Sequence, residues 1–406
     1  MKTLKTLAIS ALLLAGTAHL AVSAEGPVRI SATFELSGAA ADVSRDALEG
    51  TKYGVEHVNQ NGGVLGRQIA LTYQDNGTNA QKAINQANSM IKDGANNLLI
   101  TASSSSSVAV NKTVTAREKV LTCASTSQTD DLTIKDFNPY IFAVSPNSYM
   151  VMRSIATYLA KQPYKRYAVL AADYTGGRIG ANRFKEFLKQ FNPQAEIVVE
   201  EYPKFGASDF TPPINKILAA KPDYVFSMLF GNDLLTFSKQ AGAVGFFQQI
   251  NHRISGLYDG LTLKAMGSNA PIGTDGYQAA AMNGIAASSP EGKKFVETYK
   301  AKHGHYPSDW SVVGFECVSV WAQAANSAKS LEPGKVMAAI ESQTFKSPRG
   351  DFKFGKFDHQ AEVPVYIGKV AQSTEYGQAV VEMKEIVPGK DSRPSEQAVM
   401  KMRKGD

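Results

Sequence analysis

Along the chain, short runs rich in Val, Ile, Leu and Tyr alternate with longer stretches whose apolar residues recur every three or four positions. The first pattern predicts strands and the second predicts helices buried on one face, so their alternation points to α/β units on a mostly parallel sheet. A strand over 28–36 leads to a helix over about 44–59, where Leu48, Thr51, Val55 and Val58 share a face. Asn61, Gly62 and Gly63 stop that helix, because glycine accepts the left-handed backbone of a helix end. Strand 68–74, helix 80–92, strand 97–102, a serine run over 103–107 opening a helix to about 119, and strand 120–124 complete a first set. After Pro146 the order restarts with helix 149–161, strand 167–172, helix 178–191, strand 196–202, helix 213–220 and strand 224–230. The pattern is that of two Rossmann-like halves in series. An apolar segment over 279–285, a long helix over 311–327 and a β-rich stretch over 350–370 follow. The long helix fits the second half poorly, and a chain that crosses back to the first explains it.

The first 24 residues stand outside this pattern. Lys2 and Lys5 precede an apolar run over 7–15, and Val22, Ser23 and Ala24 offer a cleavage site, as in a secretory signal peptide. Removing those 24 residues and their two lysines from a 406-residue chain of net charge +6 leaves 382 residues at +4. The run is too short to span a membrane, and no later segment reaches the roughly 18 apolar residues that a span requires. The first cysteine is Cys123, so no lipid anchor follows the signal, and a chain free in the periplasm is expected. The remaining charge is dispersed, which argues against a nucleic-acid face. Its one basic run, over 384–404, predicts a flexible solvated tail at 389–406.

Recognisable catalytic signals are missing. There is no G-x-S-x-G elbow and no phosphate-cradling loop, and Gly176, Gly177 and Gly180 lack dinucleotide-binding spacing. His303 and His305 have no third metal ligand nearby in sequence and read as a polar loop. Cys123 and Cys317 are compatible with two buried thiols or with a disulfide. These readings predict a protein that is not an enzyme and carries no cofactor or metal. Binding has clearer candidates. Ligands of open α/β sheets sit beyond the carboxyl ends of the strands, where helix N-termini offer unpaired N–H groups. Ser104 and Ser105 occupy one such strand end, and Thr126, Ser127, Gln128 and Thr129 occupy the next. Their hydroxyls and N–H groups suit a carboxylate. In the second half, Tyr174, Phe230 and the pair Tyr258 and Asp259 lie at strand ends and suit an apolar group and an ammonium.

These residues resemble a known family, the type I periplasmic solute-binding proteins of ABC transporters, in the branched-chain amino acid group. The resemblance covers nearly all of the chain after the signal. It rests on the N-G-G-V-L-G-R-Q-I-A-L-T-Y-Q-D-N run at 61–76, D-F-T-P-P-I at 209–214, P-D-Y-V-F at 222–226 and the serine run. It implies two lobes joined by three crossovers, 25–145 with 278–350 and 146–277 with 351–388, closing about a ligand. It places a ligand carboxylate near Ser105, Thr126 and Ser127, with Tyr174 and Phe230 closing from the second lobe and Tyr258 or Asp259 meeting an ammonium. Gln128 stands where amino-acid binders usually carry threonine, although Thr129 is adjacent. The function implied is a monomeric receptor delivering a small carboxylate to ABC permease subunits in the inner membrane. A branched-chain or other apolar amino acid is the first expectation, with an aromatic carboxylate or small amide as the alternative and an exported hydrolase as the rival class.

Overall fold

The computed structural model describes residues 26–100, 102–251 and 253–404, so the signal segment expected at 1–24 lies outside it. The chain opens with β1 (Val28–Phe34), α1 (Ala41–Gln60), β2 (Ile69–Asp75), α2 (Ala80–Lys92) and β3 (Asn97–Ile100). Helix α3 (Ser104–Val110) runs on through a π-helical turn at Asn111–Thr115 to Ala116–Glu118, followed by β4 (Thr122–Ala124) and β5 (Ile141–Ala143). These strands form one parallel sheet in the order β2-β1-β3-β4-β5. The three residues of β5 were not anticipated, being too few to show a period.

The second set comprises α4 (Ser148–Ala160), β6 (Arg166–Leu170), α5 (Thr175–Phe191), β7 (Glu196–Glu201), α6 (Thr211–Ala220), β8 (Tyr224–Ser227), α7 (Gly231–Ala243), α8 (Gly260–Met266) and β9 (Asp275–Gln278). Strands β7-β6-β8 are parallel, and single bridges from Val225 to Ile254 and from Leu257 to Tyr277 carry the pairing on to β9. There follow α9 (Met282–Ser288), α10 (Pro290–His303), α11 (Asp309–Ala328), α12 (Pro333–Ser342), β10 (Val365–Ser373) and β11 (Gln378–Val387), with β9-β10-β11 antiparallel. The architecture is α/β with two lobes.

Helix α11 does return to the first lobe. A Cβ at Gly50 of α1 would lie 1.9 Å from the Ser311 carbonyl oxygen, and one at Gly314 would lie 2.2 Å from that of Ala47, so only glycine permits this backbone approach. A disulfide between Cys123 of β4 and Cys317 of α11, Cα atoms 5.8 Å apart, fixes the same packing and decides the cysteine question.

Two boundary expectations need correction. The segment 351–361 stays with the first lobe, because Phe352 pairs with Phe345 and the Ala361 N–H donates to the Ala143 carbonyl at 2.9 Å. The third crossing therefore falls between Ala361 and β10. The expected flexible tail is instead two docked helices, α13 (Gly389–Ser392) and α14 (Glu396–Lys404). Val399 is buried, and Arg403 donates to the carbonyls of Thr133, Ile134 and Phe357. Its charges suggested solvent, but Arg403 and Arg393 spend them on carbonyls and on Asp358 and Glu362.

The crossings are tied together by one buried ion pair. Arg349 donates to both Glu316 carboxylate oxygens, to the Val144 carbonyl in the first crossing (2.8 Å) and to the Ala279 carbonyl after β9 (2.9 Å).

Candidate functional site

The first wall of the cleft is set by a buried carboxylate at the end of β1. Glu35 accepts from the N–H groups of Ala102 (3.1 Å) and Ser103 (3.3 Å) and from the Ser44 hydroxyl (2.7 Å), which fixes the turn from β3 into α3. Ser103 then caps α3, and Ser104, the first helical residue, is buried against the cleft. At the end of β4, the hydroxyls of Thr126 and Ser127 are buried without a protein partner. The Gln128 carbonyl accepts from the Ser148 N–H (2.6 Å) and hydroxyl (2.7 Å), and Thr129 caps the short turn after it.

The opposite wall comes from the second lobe. Tyr174 and Phe230 are the N-cap residues of α5 and α7, which brings both rings to the carboxyl end of their sheet, with ring centres 6.2 Å apart. Tyr174 stacks on Phe205 at 4.5 Å, and its hydroxyl and that of Ser104, from opposite walls, both approach Gly176. Burial pushes its phenol above the usual tyrosine range, so it remains a neutral donor. A Cβ at Gly176 would stand 2.6 Å from the Ser104 hydroxyl, so the start of α5 comes this near only because that side chain is absent. At the rim, the hydroxyls of Ser105 and Thr175 meet at 3.0 Å.

Between the walls lies a small cavity, about 30 Å³ when measured by the centres of water-sized spheres. Six of the expected residues line it: Ser104, Thr126, Gln128, Thr129, Tyr174 and Phe230. Four do not. Ser105 stands outside at the rim, and Ser127 is buried away from the lining. Tyr258 points into the apolar core of the second lobe. Asp259 caps α8, where it accepts from the N–H groups of Leu261 and Thr262, both at 3.0 Å, and from the Thr262 hydroxyl at 2.7 Å. It is 1% exposed, and burial holds its carboxyl above the usual range. Leu257, two residues earlier, takes the place expected of these two.

A family model of periplasmic binding proteins matches residues 27–375. The chain belongs to this family. It is 27% identical over 395 residues to Leu/Ile/Val-binding protein homolog 4 of Brucella abortus, covering 91% of each chain. A periplasmic binding protein from Burkholderia mallei superposes with a TM-score of 0.83 at 20% identity, covering 92% of this chain and 97% of that one. The solute-binding protein of an ABC transporter from Rhodopseudomonas palustris, in complex with 3,4-dihydroxybenzoic acid, gives a TM-score of 0.81 at 21% identity over 90% and 98% of the two chains. These structures establish the two-lobed type I fold. Among the described residues no helix is long and apolar enough to cross a membrane, and no three His, Cys, Asp or Glu side chains converge to hold a metal.

The cavity lining holds no Asp, Glu, Lys, Arg or His. The residues that sequence reasoning missed are mostly apolar: Val43, Ala102, Met228, Leu257, Tyr277 and Trp310. Trp310 had a signal available, because the S-D-W-S run at 308–311 is a capping pattern that places the residue in the first turn of a helix.

Proposed function

We propose that this protein is the solute-binding component of an ABC-type importer, acting in the periplasm as a monomer and handing its ligand unchanged to permease subunits in the inner membrane. The ligand is a small apolar carboxylate without an α-ammonium, of the aromatic-acid type, so the alternative raised by the sequence replaces the amino acid as the first expectation. One observation carries this choice: the lining offers hydroxyls, an amide and aromatic rings but no carboxylate. A carboxylate ligand finds donors there in Ser104, Thr126, Thr129 and Tyr174. A primary ammonium would be enclosed without a counter-charge, which costs several kcal/mol. The relative named for Leu, Ile and Val supports the family reading, and the neighbour holding 3,4-dihydroxybenzoic acid supports the ligand class. Closure gains free energy from contacts that both lobes make only through the ligand.

The test is a thermal-shift and calorimetric screen. Benzoate and its hydroxylated derivatives are expected to raise the melting temperature and to be recovered intact, because a ligand that binds only the folded state stabilises by mass action. Leucine, isoleucine and valine binding more tightly than every aromatic acid tried would reject the ligand assignment, and turnover of the ligand would reject the binding role.

A further inference from the structure

We infer that the C-terminal segment is a clasp across the cleft: Met402 and Arg403 position the ion pair between Asp130 of the first lobe and Arg183 of the second, and so raise the share of closed molecules. This goes beyond the ligand reading above and does not depend on which ligand is bound.

The segment supplies a fourth crossing between the lobes. Strand β11 ends at Val387 in the second lobe, and by Arg393 the chain has reached the first, where that side chain donates to Asp358 (2.6 Å) and Glu362 (2.5 Å). Helix α14 stays there. Val399 is buried, and Arg403 donates to the carbonyls of Phe357 (2.6 Å), Ile134 (2.9 Å) and Thr133 (3.2 Å), with its guanidinium 4.2 Å from the centre of the Phe137 ring. Thr133 and Ile134 end the turn that Asp130 begins, since their N–H groups donate to the Asp130 carbonyl at 3.2 and 2.8 Å. Thr129, one residue earlier, lines the cavity. Arg403 therefore anchors a turn that carries both a ligand-facing residue and an acidic one.

Asp130 pairs across the cleft. Its buried carboxylate accepts from Nε of Arg183, in α5 of the second lobe, at 2.7 Å. Nη2 of Arg183 donates to the Met402 thioether at 3.2 Å, and Nη1 donates to Glu186 of the same helix at 2.8 Å. Arg183 thus enters a notch whose two sides, Asp130 and Met402, both belong to elements docked on the first lobe. Arg403 holds both sides, because it grips the Asp130 turn and follows Met402 in the chain. Glu186 travels with Arg183, whereas the bonds to Asp130 and Met402 break when the lobes part. A contact made in the closed form alone shifts the open-to-closed population by its own free energy.

The experiment needs no ligand. The hydroxyls of Ser105 and Thr175 meet across the rim at 3.0 Å, so a Ser105→Cys/Thr175→Cys protein joins these positions only when the lobes touch. The rate of that bond in a fixed concentration of oxidised glutathione then reports the share of closed molecules. In this background Asp130→Asn, Arg183→Gln and Arg403→Gln are each expected to slow the bond at least about fivefold, as the loss of a hydrogen-bonded charge pair from one state implies. Arg403→Lys, which keeps a donor for these carbonyls, is expected to slow it less. Asp130→Asn combined with Arg403→Gln is expected to be about as slow as Asp130→Asn alone, because both changes remove the same pair. A merely structural Arg403 would lower the melting temperature and leave the rate alone. Wild-type rates in Asp130→Asn or Arg403→Gln proteins with native circular dichroism overturn the clasp, and so does a double variant in which the two effects multiply. Should Arg403→Gln not fold, Met402→Ala is expected to slow the bond in the same direction, and an unchanged rate there also overturns it.

Discussion

Ser104 and Ser105 are adjacent and chemically identical, yet one faces the cavity and the other bridges the rim to Thr175. Their run of five serines marks a helix start at a strand end, which the sequence makes legible. Which serine turns inward depends on Ser103 being the cap, and that depends on Glu35, 67 residues before Ala102 in the chain. Asp259 shows the opposite limit. Its position after an apolar segment suggested a ligand contact, but D-G-L-T is also a capping sequence, and the carboxylate is used locally by Leu261 and Thr262. Thr126 offers the cleanest residue-level test, since its buried hydroxyl has no protein partner to lose. Thr126→Val is expected to leave the melting temperature of the free protein unchanged or slightly higher. It is also expected to weaken carboxylate binding about 10- to 100-fold, the loss of one hydrogen bond to an enclosed charge, as calorimetry would show.

At the level of elements, the long periodic segments α1, α2 and α5 were readable because their buried faces repeat over several turns. Elements of three or four residues, such as β5, and the docked α14 were not, since their form is imposed by partners far along the chain. The closeness of α5 to α3 is a further case, resting on the absence of a side chain at Gly176. Gly176→Ala is expected to hold the lobes apart by pressing on Ser104, reducing ligand affinity at least tenfold. The Gly176 φ lies outside the left-handed region, so the backbone itself accepts alanine, but the new Cβ would also stand 2.7 Å from the Tyr174 hydroxyl, and the free protein should lose a little stability as that ring shifts. Solution scattering would report the change as a failure to become more compact on adding ligand, and ligand-induced compaction equal to that of the wild-type protein would refute it.

Over the whole molecule, folding takes several acidic groups out of water. Burial raises Asp46 and Asp309 to about 7 and Asp233 to about 6. In the unfolded chain they titrate near 3.8, so between about pH 4 and 7 the folded state binds more protons, and these groups make stability fall as pH rises through that window. His57 and His303, held below the usual histidine range by burial, act in the opposite direction below about 6.5. A difference measurement separates the two effects. Asp46→Asn is expected to lose less stability than the wild-type protein between pH 5 and 8, and an equal fall in unfolding free energy for both proteins, read from denaturant melts at the two pH values, would contradict the burial argument.

The Cys123–Cys317 bond joins two residues of the first lobe that are 194 positions apart, and the whole second lobe up to β9 lies between them. In order of synthesis, the first lobe is therefore unfinished until most of the second has been made. Neither the helix that fills the groove on α1 nor the thiol partner of Cys123 exists before residue 317 emerges. The second lobe up to β9 is, in covalent terms, a closed loop inserted into the first. A protease that cuts anywhere between Cys123 and Cys317 leaves two pieces still held as one particle until a reductant arrives.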